Sequence, residues 1–177
     1  QEYRAINRQK PILTLYFFTS NGAQPVNSPK KPIIMFIGEY HHSLDEKGRV
    51  QIPVKFRTDL KAGAFVTRGL DRCLFIYTKK EWLVMAEKLS RLPIAKANSR
   101  AFARLMLAGA MELDIDGQGR GNLPEYLRTY ANLKKVVVVA GLYNRLELWD
   151  KDSWERYRSG AERQSGDIAE ALSELGV

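Results

Sequence analysis

The chain has 177 residues, 45% hydrophobic and 27% charged, a balance that belongs to a globular protein and excludes a largely disordered one. Its single cysteine, Cys73, excludes an intrachain disulfide framework and a cysteine-based zinc site. The net charge of +8 favours a polyanionic partner, but half of that excess lies in residues 1–34, where Arg4, Arg8, Lys10, Lys30 and Lys31 face only Glu2.

The sequence opens at Gln1, and its first apolar run, residues 12–18, is too short to span a bilayer. Residues 20–32 are polar and Pro-containing and read as a linker. Residues 1–34 are therefore expected to be a leader or a mis-assigned start, poorly ordered and without a site, with the working protein beginning at Met35.

From Met35 a strand runs into Asp45, turns at Lys47-Gly48 and returns through Val50 and Ile52 with period-two alternation. Gly48 supplies the positive φ of a tight turn. Pro53 opens a short helix with Phe56 and Leu60 on one face. Strands are predicted over residues 65–67 and 74–77. Cys73 precedes the second of these and reads as a buried, inert thiol. Thr78-Lys79-Lys80-Glu81 is a capping-box pattern, and Trp82, Met85, Ala86 and Leu89 form the apolar stripe of the helix it opens. Pro93 ends that helix, and a connecting helix near residues 98–107 should turn Phe102, Leu105 and Met106 inward.

The chain then repeats itself. Asp45-Glu46-Lys47-Gly48-Arg49-Val50-Gln51-Ile52-Pro53 recurs 71 residues later as Asp116-Gly117-Gln118-Gly119-Arg120-Gly121-Asn122-Leu123-Pro124. The same shift pairs Arg57 with Arg128, and a shift of 72 pairs Trp82 with Trp154. Strands are predicted again over residues 136–139 and 146–149. A last helix should carry Ile168, Ala171, Leu172 and Leu175 on one face and stop at Gly176. One copy is too small to bury much apolar surface alone, so the two should pack around a shared β-core.

No catalytic constellation emerges, and neither an enzyme activity nor a cofactor is expected. His41 and His42 are adjacent in a strand and point to opposite faces, so they cannot chelate one metal together. The run from Glu112 imitates a calcium loop but has Leu123 where the bidentate Glu is required. Gly117-x-Gly119-x-Gly121 has neither dinucleotide spacing nor a Gly-Lys-Ser/Thr ending and reads as turn glycine. What remains is a basic set around the turns: Lys47, Arg49, Lys55 and Arg57, then Arg120 and Arg128. A two-stranded ribbon fits the major groove, where Arg can bind guanine O6 and N7 in a bidentate way. Arg49 and Arg120 could equally pair with Asp45 and Asp116 to brace the Gly48 and Gly119 turns. Spacing leaves both roles open, and they are compatible.

The opening Met35-Phe36-Ile37-Gly38-Glu39-Tyr40, the first Asp-x-x-Gly-Arg run, its second copy and Leu146-Glu147-Leu148-Trp149 together resemble the MraZ family over residues 35–177. The resemblance implies an α+β fold of two tandem AbrB-like swapped-hairpin units, a β-barrel pseudo-dimer within one chain with flanking helices. It divides the chain into AbrB-like units at 39–84 and 110–153, a helical connector at 85–109 and a C-terminal helical region at 154–177. It further implies a cytoplasmic, nucleoid-associated transcriptional regulator, a repressor of the division and cell-wall gene cluster, without a membrane partner. Such a regulator binds short direct promoter repeats in double-stranded DNA as a ring homo-oligomer of roughly eight to twelve subunits. Arg49 maps onto the arginine needed for DNA binding. The alternative is an antitoxin-like protein-interaction module. Where the family continues with apolar residues after the second Arg, this chain has Gly121-Asn122, so the second turn is expected to be bent or looser than the first.

Overall fold

The computed structural model describes residues 16–19, 22–25 and 35–173. The chain divides into two units, Gln1–Ile33 and Ile34–Val177. In the first, β1 (Tyr16–Thr19) pairs antiparallel with β2 (Gly22–Pro25). These strands occupy part of the stretch read as leader and linker. The aromatic and β-branched run Tyr16-Phe17-Phe18-Thr19 ahead of Asn21-Gly22 is a hairpin signal which that reading passed over. The rest of that expectation lies outside the described residues.

The second unit holds β3 (Phe36–Ser43), β4 (Arg49–Gln51), α1 (Val54–Lys61), β5 (Ala64–Arg68), β6 (Leu74–Thr78), α2 (Lys79–Ser90) and α3 (Ala97–Leu107). Its second half repeats the order with β7 (Met111–Glu112), β8 (Arg120–Asn122), α4 (Glu125–Tyr130), β9 (Val136–Tyr143), β10 (Arg145–Asp150) and α5 (Lys151–Arg163), then adds α6 (Ser165–Leu172). Six strands form one antiparallel sheet in the order β3-β9-β10-β6-β5-β7. The repeat equates β3 with β7, β5 with β9 and β6 with β10, so this order is a palindrome. Each copy's entry strand joins the other copy's half of the sheet. The two arms of the first turn form an isolated bridge, Leu44 to Val50, and not a ladder, because β4 takes β8 of the other copy as its ladder partner.

Alternation along the sheet builds two layers. Leu74, Ile76, Leu146 and Leu148 face one core with Phe56 and Leu60 of α1, Leu127 of α4, and Val50, Ile52, Leu113 and Leu123 around the ribbon. Phe75, Tyr77, Val138 and Trp149 face the other way, against Trp82 and Leu89 of α2 and Met106 of α3. Thr78 caps α2 by accepting the Glu81 N–H at 3.2 Å, as its pattern predicts. Cys73 is buried, and desolvation pushes its thiol well above the usual range, so it is no nucleophile at neutral pH.

One packing expectation fails. Phe102 is 38% exposed rather than inward. The connecting helix is anchored at its last turn, where buried Thr67 Oγ1 donates to Met106 O at 2.6 Å, and the turn carrying Phe102 precedes that anchor. Ile168, Ala171 and Leu172 share a face of α6, but that face is exposed; Leu175 and Gly176 lie outside the described residues. Helical periodicity identifies a stripe without saying that anything covers it.

Because both copies contribute to one core, Leu127→Ala should cost roughly 2–5 kcal/mol and shift a single unfolding transition. Urea unfolding followed by tryptophan fluorescence and by far-UV circular dichroism checks this. Separate transitions would show that the copies unfold independently.

Candidate nucleic-acid interface

The two Asp-x-x-Gly-Arg turns are built by the same bonds. Asp45 Oδ1 accepts the N–H groups of Lys47 at 3.0 Å and Arg49 at 2.9 Å. Its Oδ2 accepts Arg49 Nε and pairs with Nη2, both at 2.8 Å. Asp116 does the same for the N–H groups of Gln118 and Arg120 at 2.9 Å, and for Arg120 Nε and Nη2 at 2.8 Å. Gly48 and Gly119 take φ of 76° and 81° and donate to Asp45 O and Asp116 O at 2.9 Å. The second turn is therefore as tight as the first, and the expected loosening at Gly121-Asn122 is not found. Gly121 is buried, and a Cβ there would stand 3.0 Å from Leu113 Cδ1, so the glycine makes room for a core leucine.

The bonds around Asp45 outweigh its desolvation and hold its carboxyl below the usual value. Those around Asp116, the Arg120 N–H first, hold it at about 2. Both ion pairs are part-exposed, so their worth lies in orientation more than in stability. In each arginine the bond to the carboxylate uses Nε–H and one Nη2–H. That leaves the outer edge of the guanidinium, with its remaining three hydrogens, unused within the turn.

The structure divides the remaining basic residues. Lys47 is exposed at the first tip and lines a shallow depression with Arg49, Asp114, Asp116, Arg120 and Asn122. Arg57 and Arg128 act as buttresses. Arg57 Nε donates to Ile52 O at 2.8 Å, Arg128 Nε to Leu123 O at 3.1 Å, and each guanidinium packs against the glycine turn of the opposite copy. Lys55 is held away from the turns, with Nζ on Ile37 O at 2.7 Å and over the Tyr40 and Phe56 rings. His41 is exposed against Glu39, whereas His42 is half-buried with Nε2 unpartnered. Burial first, then Arg57 and His41, lowers the His42 pKa and keeps it neutral at pH 7.

Sequence reading missed two members of the surface. In the β4–β8 ribbon Arg49 stands opposite Asn122 and Gln51 opposite Arg120. Val50 and Gly121 point into the core, so all four of these side chains lie on the outer face. The signal was present, since the shift of 71 residues that aligns the arginines also aligns Gln51 with Asn122.

Fold and turns together define a duplicated β-turn protein that presents two braced arginines side by side on one antiparallel ribbon. A family model described as "MraZ protein, putative antitoxin-like" matches residues 35–105 and again 106–174. The transcriptional regulator MraZ of Natranaerobius thermophilus is 47% identical over 143 residues, covering 81% of this chain and 100% of the relative. The chain belongs to the MraZ family.

The depressed carboxyl values give a pH test. Asp116 titrates lower in the folded chain than its ordinary 3.8, so its contribution is complete above that value and lost as pH falls towards 2. Asp116→Asn should melt below the wild type at pH 7, with the gap closing between about pH 4 and pH 2. A gap that persisted unchanged at pH 2 would assign the effect to something other than the carboxylate.

Proposed function

We propose that this chain is a transcriptional regulator that binds double-stranded DNA sequence-specifically through the ribbon face carrying Arg49 and Arg120. The observation that supports the reading best is the state of the two arginines. Each is held by a carboxylate on its inner edge and keeps the outer edge for a bidentate acceptor such as guanine O6 and N7. Lys47 suits a phosphate contact that fixes register. Arg57 and Arg128 belong to the scaffold that aims the turns, and Lys55 has no part in the contact.

The family resemblance extends the proposal. It makes the regulator a cytoplasmic, nucleoid-associated repressor of the division and cell-wall gene cluster, bound to direct promoter repeats as a ring of about eight to twelve subunits. Repeated sites and repeated subunits would supply by avidity what one small face lacks in affinity. Among the described residues no helix is long and apolar enough to cross a membrane. A second reading, an antitoxin-like module that takes a protein partner, is favoured by the exposed Ile168 and Leu172 on α6. A pull-down that returns a stoichiometric protein and no DNA would favour it.

Arg49→Ala should weaken binding to DNA selected from a random pool at least about tenfold, the worth of one bidentate base contact. Arg49→Lys, which keeps the charge and loses the fork, should lose sequence preference while retaining a salt-dependent affinity. Gel shifts against selected and scrambled duplexes read both effects, with a log–log salt slope of about −0.9 per neutralised phosphate. Wild-type behaviour in both variants would refute the arginine's role.

A further inference from the structure

We propose that Gln51 and Asn122 read bases beside the two arginines, so that the ribbon's outer face carries two arginine–amide couples, Arg49 with Asn122 and Arg120 with Gln51. The inference rests on the DNA-binding reading above and names what that site would recognise.

Three observations carry it. First, the amides are placed by the fold and not by chance exposure. Each stands directly across the ribbon from an arginine, where opposed side chains lie about 5 Å apart. They also occupy equivalent positions of the two copies. Second, Asn122 goes against local preference without any return inside the chain. Asparagine is depleted in strands, this one is exposed, and among the described residues its amide has no hydrogen-bond partner. Its neighbour Gly121 breaks the same preference but is explained by Leu113. Local rules that fail without structural compensation mark functional positions. Third, the chemistry matches. Gln51 Nε2 donates to Gln118 O at 3.0 Å, which fixes the side chain and leaves Oε1 and the second amide hydrogen without a partner among the described residues. An amide offers one donor and one acceptor, the complement of adenine N7 and N6, as the arginine fork is the complement of guanine. Each couple therefore fits a G·C pair neighbouring an A·T pair on the major-groove side.

Gln51 has a competing duty, since its bond to Gln118 O also ties the first copy to the second tip. Asn122 makes no such bond, which makes it the cleaner probe. The test is selection of bound duplexes from a random pool, run with the wild type, Asn122→Ala, Asn122→Thr and Gln51→Ala, each checked by thermal melting. Threonine suits a strand better than asparagine, so it keeps the variant arm usable if alanine weakens the fold. The expected result is a wild-type motif with an adenine preference beside a guanine, and a loss of that preference by about tenfold or more in both Asn122 variants. Gln51→Ala should flatten a different position of the motif. If the wild type enriches a motif and folded variants at both positions keep every preference, the amides do not read bases and the inference is overturned while DNA binding stands. If the wild type enriches no duplex, the DNA-binding reading itself fails.

Discussion

Two backbone hydrogen bonds cross between the copies and finish each other's turns: Ile52 N–H donates to Gly119 O at 2.9 Å and Leu123 N–H to Gly48 O at 3.0 Å. Each glycine carbonyl is thus held by the strand that leaves the opposite turn. Arg57 and Arg128 reinforce the exchange by packing on those glycines from the other copy. A side chain at either glycine would strain the positive φ and displace a guanidinium packed there. The consequence is positional. Neither turn can shift without moving the other, and the spacing of Arg49 from Arg120 is set by a three-residue ladder rather than by a flexible link.

That rigidity matters because the face is not strongly basic. Lys47, Arg49 and Arg120 share it with Asp45, Glu46, Asp114 and Asp116, so bulk charge would give only weak attraction to phosphates. Bracing carboxylates reduce net charge but remove the rotamer freedom an arginine would otherwise lose on binding. For the proposed contact the balance favours selectivity over affinity, because a pre-aimed fork discriminates between acceptors. A strongly charged loop would bind more tightly and choose less well.

Much of this was legible beforehand, and the gaps have physical causes. The repeat, the turns, the Thr78 cap and the strand positions follow from short-range rules of spacing, capping and φ. Bracing by Asp45 and Asp116 was one of two open roles, because a spacing of four residues permits a contact without requiring it. The reciprocal roles of Arg57 and Arg128 were hidden, since each acts on a glycine far away in sequence and close only through the strand exchange. The placement of Lys55 was hidden for a related reason: nearness in sequence put it in the basic set, whereas Tyr40, Phe56 and Ile37 O hold its ammonium apart from the turns. Gly121-Asn122 looked like damage to a strand when judged by propensity alone. Packing against Leu113 shows that half of the departure is a fit.

The centre of the sheet gives a physical reason for one difference between the copies. Leu146 pairs with Ile76 and Leu148 with Leu74, equivalent contacts under the repeat, but Glu147 pairs with Phe75, its own counterpart. A residue on the pseudo-twofold axis must face its copy, so an identical duplicate would place glutamate against glutamate or phenylalanine against phenylalanine there. Two buried carboxylates would repel with no solvent to screen them. This chain instead sets one buried glutamate against one phenylalanine. Arg145 Nη2 at 2.9 Å and Trp149 Nε1 at 3.1 Å hold the carboxylate, and the same guanidinium lies 4.7 Å from the Phe75 ring. The buried charge is tolerated because both oxygens are satisfied. The same axis passes through the ribbon between Val50 and its own counterpart Gly121, again an unlike pair. The two braced arginines flank that pair, each facing an amide of the other copy, and both keep the same turn geometry.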